Sequence, residues 1–130
     1  MKKILIVIGD YYPKISKGLE RSALLELKTY KVAKIFAPGV FEIPIIISKN
    51  INKYDGFLAL GCVIKGETPH FDFISASTIN AIMNIAVQNK KPIGNAILTC
   101  LNKKQALARL NKGKEAAIAL KQVLKNGTIK

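Results

Sequence analysis

The chain has 130 residues, the usual size of one domain, with 49% hydrophobic and 22% charged residues; this is enough apolar material for a buried core and excludes an intrinsically disordered chain. Twenty-one Lys and Arg stand against eight Asp and Glu, a formal charge of +13, which is compatible with acidic small substrates, nucleic acid or an anionic surface. From Lys90 to Lys130 ten cations face one acid, Glu115, with no aromatic among them, unlike single-strand binders, which interleave cations with stacking rings.

Met1-Lys2-Lys3 and the apolar run Ile4 to Ile8 imitate a targeting segment, but the run is too short and lacks a small-residue cleavage site. It is read as a strand buried on both faces, ending at Gly9-Asp10, and the protein as cytoplasmic. Ser16 is the expected N-cap of a helix over Lys17 to Lys28, with Leu19, Ala23 and Leu27 on one face. Lys31 to Ala37 reads as the second strand. A helix follows from Phe41 to Asn52, with Pro44 in its first turn, where a missing N–H costs little.

Tyr54-Asp55-Gly56 is a turn signal before the third strand, Phe57 to Val63. Thr68 is the expected N-cap and Pro69 the first residue of a helix running from His70 to Asn89. That helix holds eleven apolar residues and one formal charge, Asp72, so its apolar surface cannot all face one sheet at 3.6 residues per turn. A second copy of the chain is the expected cover. Its longest uncharged stretch, from Phe73 to Asn89, carries seven polar side chains, among them Ser75, Thr78 and Asn84, too many for a membrane span. Ile93 to Leu98 is the fourth strand. The last helical region, Lys103 to Asn126, is expected to break near Asn111-Lys112-Gly113 and to stop at Gly127.

Strands alternating with helices predict an α/β fold of one domain, residues 1–130, in which right-handed crossovers build a four-stranded parallel sheet inside a three-layer α/β/α sandwich of flavodoxin-like type. The two cysteines, Cys62 and Cys100, lack the spacing of a disulfide framework or zinc site and are expected to be reduced thiols, with no metal bound.

Ligands of such a sheet bind beyond the carboxyl ends of the strands. The loops there contain Tyr11, able to stack a flat ring or to be an ordinary loop aromatic. They also contain Glu42, suited to a helix dipole or to ligand hydroxyls. His70 is the natural proton-transfer residue. The helix start at Glu67 and Thr68 is able to hold a phosphate, although Thr68-Pro69 is sufficiently explained as a structural cap. Gly61 to Thr68 nearly spells a P-loop, but Glu67 stands where that motif needs lysine, and no G-x-G-x-x-G follows the first strand. Cys62 lies in an apolar strand end, where an inert buried thiol is the commoner state, and Lys65 is expected to be solvated rather than a Schiff-base former.

Four segments, in this order, resemble the lumazine synthase family: Pro38-Gly39-Val40-Phe41-Glu42-Ile43-Pro44; Gly61 to Asp72 with Lys65-Gly66-Glu67-Thr68-Pro69-His70 at its centre; Ile97-Leu98-Thr99; and Gln105 to Arg109 with Asn111-Lys112-Gly113. The resemblance implies condensation of 5-amino-6-(D-ribitylamino)uracil with 3,4-dihydroxy-2-butanone 4-phosphate to 6,7-dimethyl-8-ribityllumazine, phosphate and water, without metal or cofactor. It also implies the roles of the site residues. Tyr11 stacks on the pyrimidine; Val40, Phe41 and Glu42 hold the ribityl chain; Cys62, Val63 and Ile64 bind the uracil ring. Glu67 and Thr68 form the phosphate turn, and His70 shuttles protons. Arg109 reaches the phosphate from a neighbouring subunit, and Lys112 belongs to the same substrate-binding segment.

Lys65 replaces a common arginine and Tyr12 a common asparagine, while Asn95 stands where many members have a ring-contacting aromatic. Only Leu110 separates Arg109 from Asn111, without the glycine-containing insertion of shell-forming members, and the amino-terminal strand of many members is missing. A homo-oligomer is therefore expected, a pentamer or paired pentamers rather than a sixty-subunit shell, acting on small molecules and not on nucleic acid or membrane. A flavin or lumazine carrier and a basic nucleic-acid-binding protein are the alternatives.

Overall fold

The computed structural model describes residues 1–126. Four strands, β1 (Lys3–Gly9), β2 (Lys31–Ala37), β3 (Gly56–Ile64) and β4 (Ile93–Cys100), alternate with helices α1 (Pro13–Leu24), α2 (Ile43–Lys49), α3 (His70–Asn89), α4 (Lys103–Leu107) and α5 (Lys112–Leu124). The sheet is parallel throughout, in the order β2-β1-β3-β4. This is the flavodoxin-like three-layer α/β/α sandwich, in which the chain reverses its direction of travel between β1 and β3.

The unbroken apolar run of β1 has the physical cause expected of it. Ile4, Ile6 and Ile8 enter the core beneath α1, α4 and α5, while Leu5 and Val7 enter the core beneath α2 and α3. β3 divides the same way, with Leu58, Leu60 and Cys62 on one side and Phe57 and Ala59 on the other. A strand covered on both faces has no polar position to alternate with, so period 2 is invisible in its sequence.

Several element bounds differ from expectation. Ser16 is not the N-cap of α1. The helix begins at Pro13, whose ring pre-sets the first helical φ, and the Tyr12 carbonyl accepts the N–H groups of Ile15 and Ser16. Ser16 is buried inside the first turn and its hydroxyl donates to Asp10 Oδ1 at 2.7 Å. α1 stops at Leu24, and Leu27 is buried from the turn beyond it, where its carbonyl accepts the Tyr30 N–H.

The expected Phe41 to Asn52 helix divides into a 3₁₀ turn, Val40–Glu42, and α2, with Pro44 in its first turn. α3 has the expected span, but Pro69 occupies the cap position and Thr68 lies one residue outside it, its Oγ1 accepting the His70 N–H at 3.4 Å. The C-terminal helical region breaks over residues 108–111, and the expected stop at Gly127 lies outside the described residues.

Ser22 explains part of that break. Its hydroxyl has the Leu19 and Leu110 carbonyls as acceptors for its single proton, the shorter distance being to Leu110, and accepts the Lys114 N–H, so α1 is stitched to the start of α5. Gly113 sits so close to α1 that a Cβ there would collide with the Leu19 carbonyl oxygen.

Candidate active site

A cleft of about 710 Å³ opens beyond the carboxyl ends of β1 and β3, at the point where the sheet order reverses and two successive loops diverge. Its approach is shaped by a backbone crossing. The segment Gly39–Val40 passes over the ends of both strands, and a Cβ at Gly61 would stand 2.6 Å from Val40 Cγ1, while one at Gly9 would stand 3.0 Å from the Gly39 carbonyl carbon. The absence of side chains at Gly9 and Gly61 lets Val40 settle as a buried floor beside the flanking Phe41 and Glu42.

The cleft brings together Tyr11, Val40, Phe41, Glu42, Cys62, Val63, Ile64, Thr68 and His70. Glu42 Oε1 accepts the Gly39 N–H at 3.0 Å. One carboxylate oxygen is thus tied to the turn, and the group retains capacity to accept from ligand hydroxyls. Tyr11 is 71% exposed at the mouth, a flat face available for stacking. His70 begins the 20-residue helix α3 and points its side of the first turn into the cleft together with Phe71 and Ile74. The helix N-terminus therefore brings its partial positive charge to the site.

The Cys62 thiol is buried near the end of β3. Burial, reinforced by the neighbouring Cys100 thiol, pushes its pKa up to about 12, so the reactive thiolate is negligible near neutral pH. The two thiols lie on the same side of the sheet at the ends of β3 and β4 and are both free. Among the described residues no group of three or more His, Cys, Asp or Glu side chains could hold a metal ion, and no helix is long and apolar enough to cross a membrane.

Four expected site residues do not line the cleft. Glu67 is exposed in the loop before α3. Asn95, Lys112 and Arg109 form a second cluster at the outer side of β4, the edge strand. Arg109 and Lys112 share a depression of about 470 Å³ with Thr99 and Glu115, and Lys112 also lines a groove of about 500 Å³ with Asn95. The Arg109 guanidinium Nη1–H donates to the Gln105 carbonyl at 2.9 Å, which folds it back on α4.

The cleft is lined in addition by Tyr12, Gly39, Gly66, Phe71 and Ile74. The last two had a readable signal, since positions 70, 71 and 74 share one helical face. Tyr12 shares the loop at the carboxyl end of the first strand with Tyr11, and that position was its signal.

A profile of the 6,7-dimethyl-8-ribityllumazine synthase family matches residues 1–126. The chain belongs to that family. Proteins named 6,7-dimethyl-8-ribityllumazine synthase from Methylobacterium radiotolerans, Bartonella tribocorum and Agrobacterium fabrum are 40%, 40% and 41% identical to it. The alignments cover 94%, 89% and 84% of this chain and 80%, 83% and 80% of those proteins. The family is an enzyme family of the condensation step in riboflavin biosynthesis, and the fold and the cleft described above are those of this lumazine synthase family member.

Proposed function

We propose that this enzyme condenses 5-amino-6-(D-ribitylamino)uracil with 3,4-dihydroxy-2-butanone 4-phosphate in a site completed by two neighbouring copies of the chain. The observation that carries this reading is the cleft itself, where a stacking ring, a tethered carboxylate and a helix N-terminus bearing His70 converge. Tyr11 stacks on the pyrimidine, strand-end residues 62–64 bind its polar edge, and Val40, Phe41 and Glu42 hold the ribityl chain. Thr68, with Glu67 beside it, forms the turn that receives the phosphate. His70 moves protons as the amine adds to the ketone, phosphate leaves and the ring closes, without metal or cofactor. Positioning two substrates and timing these transfers account for the catalysis.

The neighbouring copy supplies Arg109 and Lys112, cations suited to the phosphate dianion, with Asn95 along the pocket wall. Two features support a shared site. The cationic cluster lies apart from the cleft within one protomer. The face of α3 turned away from the sheet also exposes Phe73, Ala76, Asn80, Met83 and Val87, a three-four spacing that matches the seam of packed helices. The assembly is a cytoplasmic pentamer, alone or paired. Its partners are small-molecule substrates and further copies of one lumazine-synthase-like domain, with no nucleic acid and no membrane.

The decisive experiment is complementation. His70→Gln should slow turnover roughly a hundredfold, and Arg109→Ala should cut use of the phosphate substrate to a similar or greater degree. Co-expressed and co-assembled, the two variants should regain about a quarter of wild-type lumazine fluorescence, because random mixing rebuilds that share of intact sites across the interface. Absence of recovery in mixed oligomers that are verified by mass would place both residues in one protomer's site and refute the shared pocket.

A further inference from the structure

Tyr12, the neighbour of the stacking residue, has a defined setting of its own. Its ring packs against the core beneath α1, α4 and α5, and the Lys103 ammonium at the start of α4 lies 5.7 Å from its centroid, within cation–π range. The backbone around it is equally constrained. The Tyr12 carbonyl accepts two N–H groups of α1, Ser16 Oγ–H closes the loop onto Asp10, and the Asp10 N–H donates to the Ala37 carbonyl at 2.9 Å. Burial, then the neighbouring Tyr11 and Cys62, push the Tyr12 phenol pKa up, so the ring stays a neutral partner for the ammonium.

Tyr11, in contrast, projects into the cleft mouth, and the ring set against it is Tyr12, 4.9 Å between centroids and 79° between planes. That T-shaped arrangement is the one the ring quadrupoles favour. An exposed aromatic side chain that must be ordered when a ligand arrives weakens binding by the entropy lost, and a ring already held avoids that loss.

We propose that Tyr12 is a positioning residue for pyrimidine recognition: clamped between the core and Lys103, it holds Tyr11 in the orientation that presents its stacking face before the substrate enters. The inference rests on the assignment of Tyr11 as the stacking residue. Because the effect is made equally in the ground state and the transition state, it falls on KM rather than kcat.

The test is steady-state kinetics of the assembled enzyme with each substrate varied in turn. Tyr12→Ala should raise KM for the pyrimidine roughly three- to tenfold, with kcat and the KM for the phosphate substrate within about twofold. Tyr12→Phe should restore the wild-type value, and Lys103→Met should raise the pyrimidine KM about twofold. If Tyr12→Ala does not fold, Tyr12→Leu keeps the core packing and removes the ring.

In a Tyr11→Ala background the Tyr12 substitution should add nothing, since there is no ring left to hold. An equal added effect in both backgrounds, or an unchanged pyrimidine KM in Tyr12→Ala or Tyr12→Leu while Tyr11→Ala is strongly impaired, overturns the inference and leaves the synthase reading standing. An unchanged pyrimidine KM in Tyr11→Ala removes the stacking assignment and this inference with it.

Discussion

The two helical layers that cover the sheet offer different surfaces to water. α1, α4 and α5 carry eight Lys and Arg (Lys14, Lys17, Arg21, Lys103, Lys104, Lys112, Lys114 and Lys121) against Glu20 and Glu115, whereas α2 and α3 carry only Lys49 and Asp72. In the first layer apolar side chains mostly face inward and charges outward, the ordinary amphipathic solution, with Leu107 and Val123 the exposed exceptions. In the second, α3 buries Ile82 against the sheet and still exposes Phe73, Met83 and Val87. A chain of charge +13 repels its own copies most strongly through the first layer, so association is cheapest through the second. The charge distribution and the exposed seam therefore both favour the face proposed above for contact between copies.

That contrast is broken most severely by Met83→Glu. A carboxylate placed in the seam must be desolvated in every copy, so sedimentation should show smaller species and lumazine formation should drop by roughly a hundredfold or more as shared sites are lost. An intact oligomer with normal turnover would contradict the proposed interface. Gly113→Ala should act within the charged layer instead, forcing α5 away from the Leu19 carbonyl. It should cost about 1–3 kcal/mol in denaturant unfolding without changing the catalytic residues. Lys17→Glu, on the exposed outer side of α1, should change stability by less than about 0.5 kcal/mol and leave the sedimentation coefficient unaltered. A changed oligomeric state in that variant would mean that the charged layer takes part in assembly.

How much of this was legible varied with the kind of signal. All four strands were readable because an apolar, β-branched run bounded by turn residues has few other uses. The start of α1 is not legible, because serine before a periodic stretch serves equally as a cap or as an internal hydroxyl, and its bond to Asp10, on the preceding loop, distinguishes the two. The break in the last helical region was visible at Asn111-Lys112-Gly113. Its cause, the approach to α1 and the hydroxyl of Ser22, was not visible. Nine of the expected site residues converge in one cleft. Glu67 stays outside, because the turn before α3 leaves it exposed, and Arg109, Lys112 and Asn95 lie along another edge.

By itself the sequence determined the alternation of strands and helices, the family, and an α3 too apolar to serve one sheet, since these depend on local pattern and residue identity. The strand order β2-β1-β3-β4, the crossing of Gly39–Val40 over Gly9 and Gly61, and the clamp on Tyr12 were decided by the tertiary structure. Each depends on which surfaces meet across distant segments, and contacts of that kind leave no periodic trace in the chain that makes them.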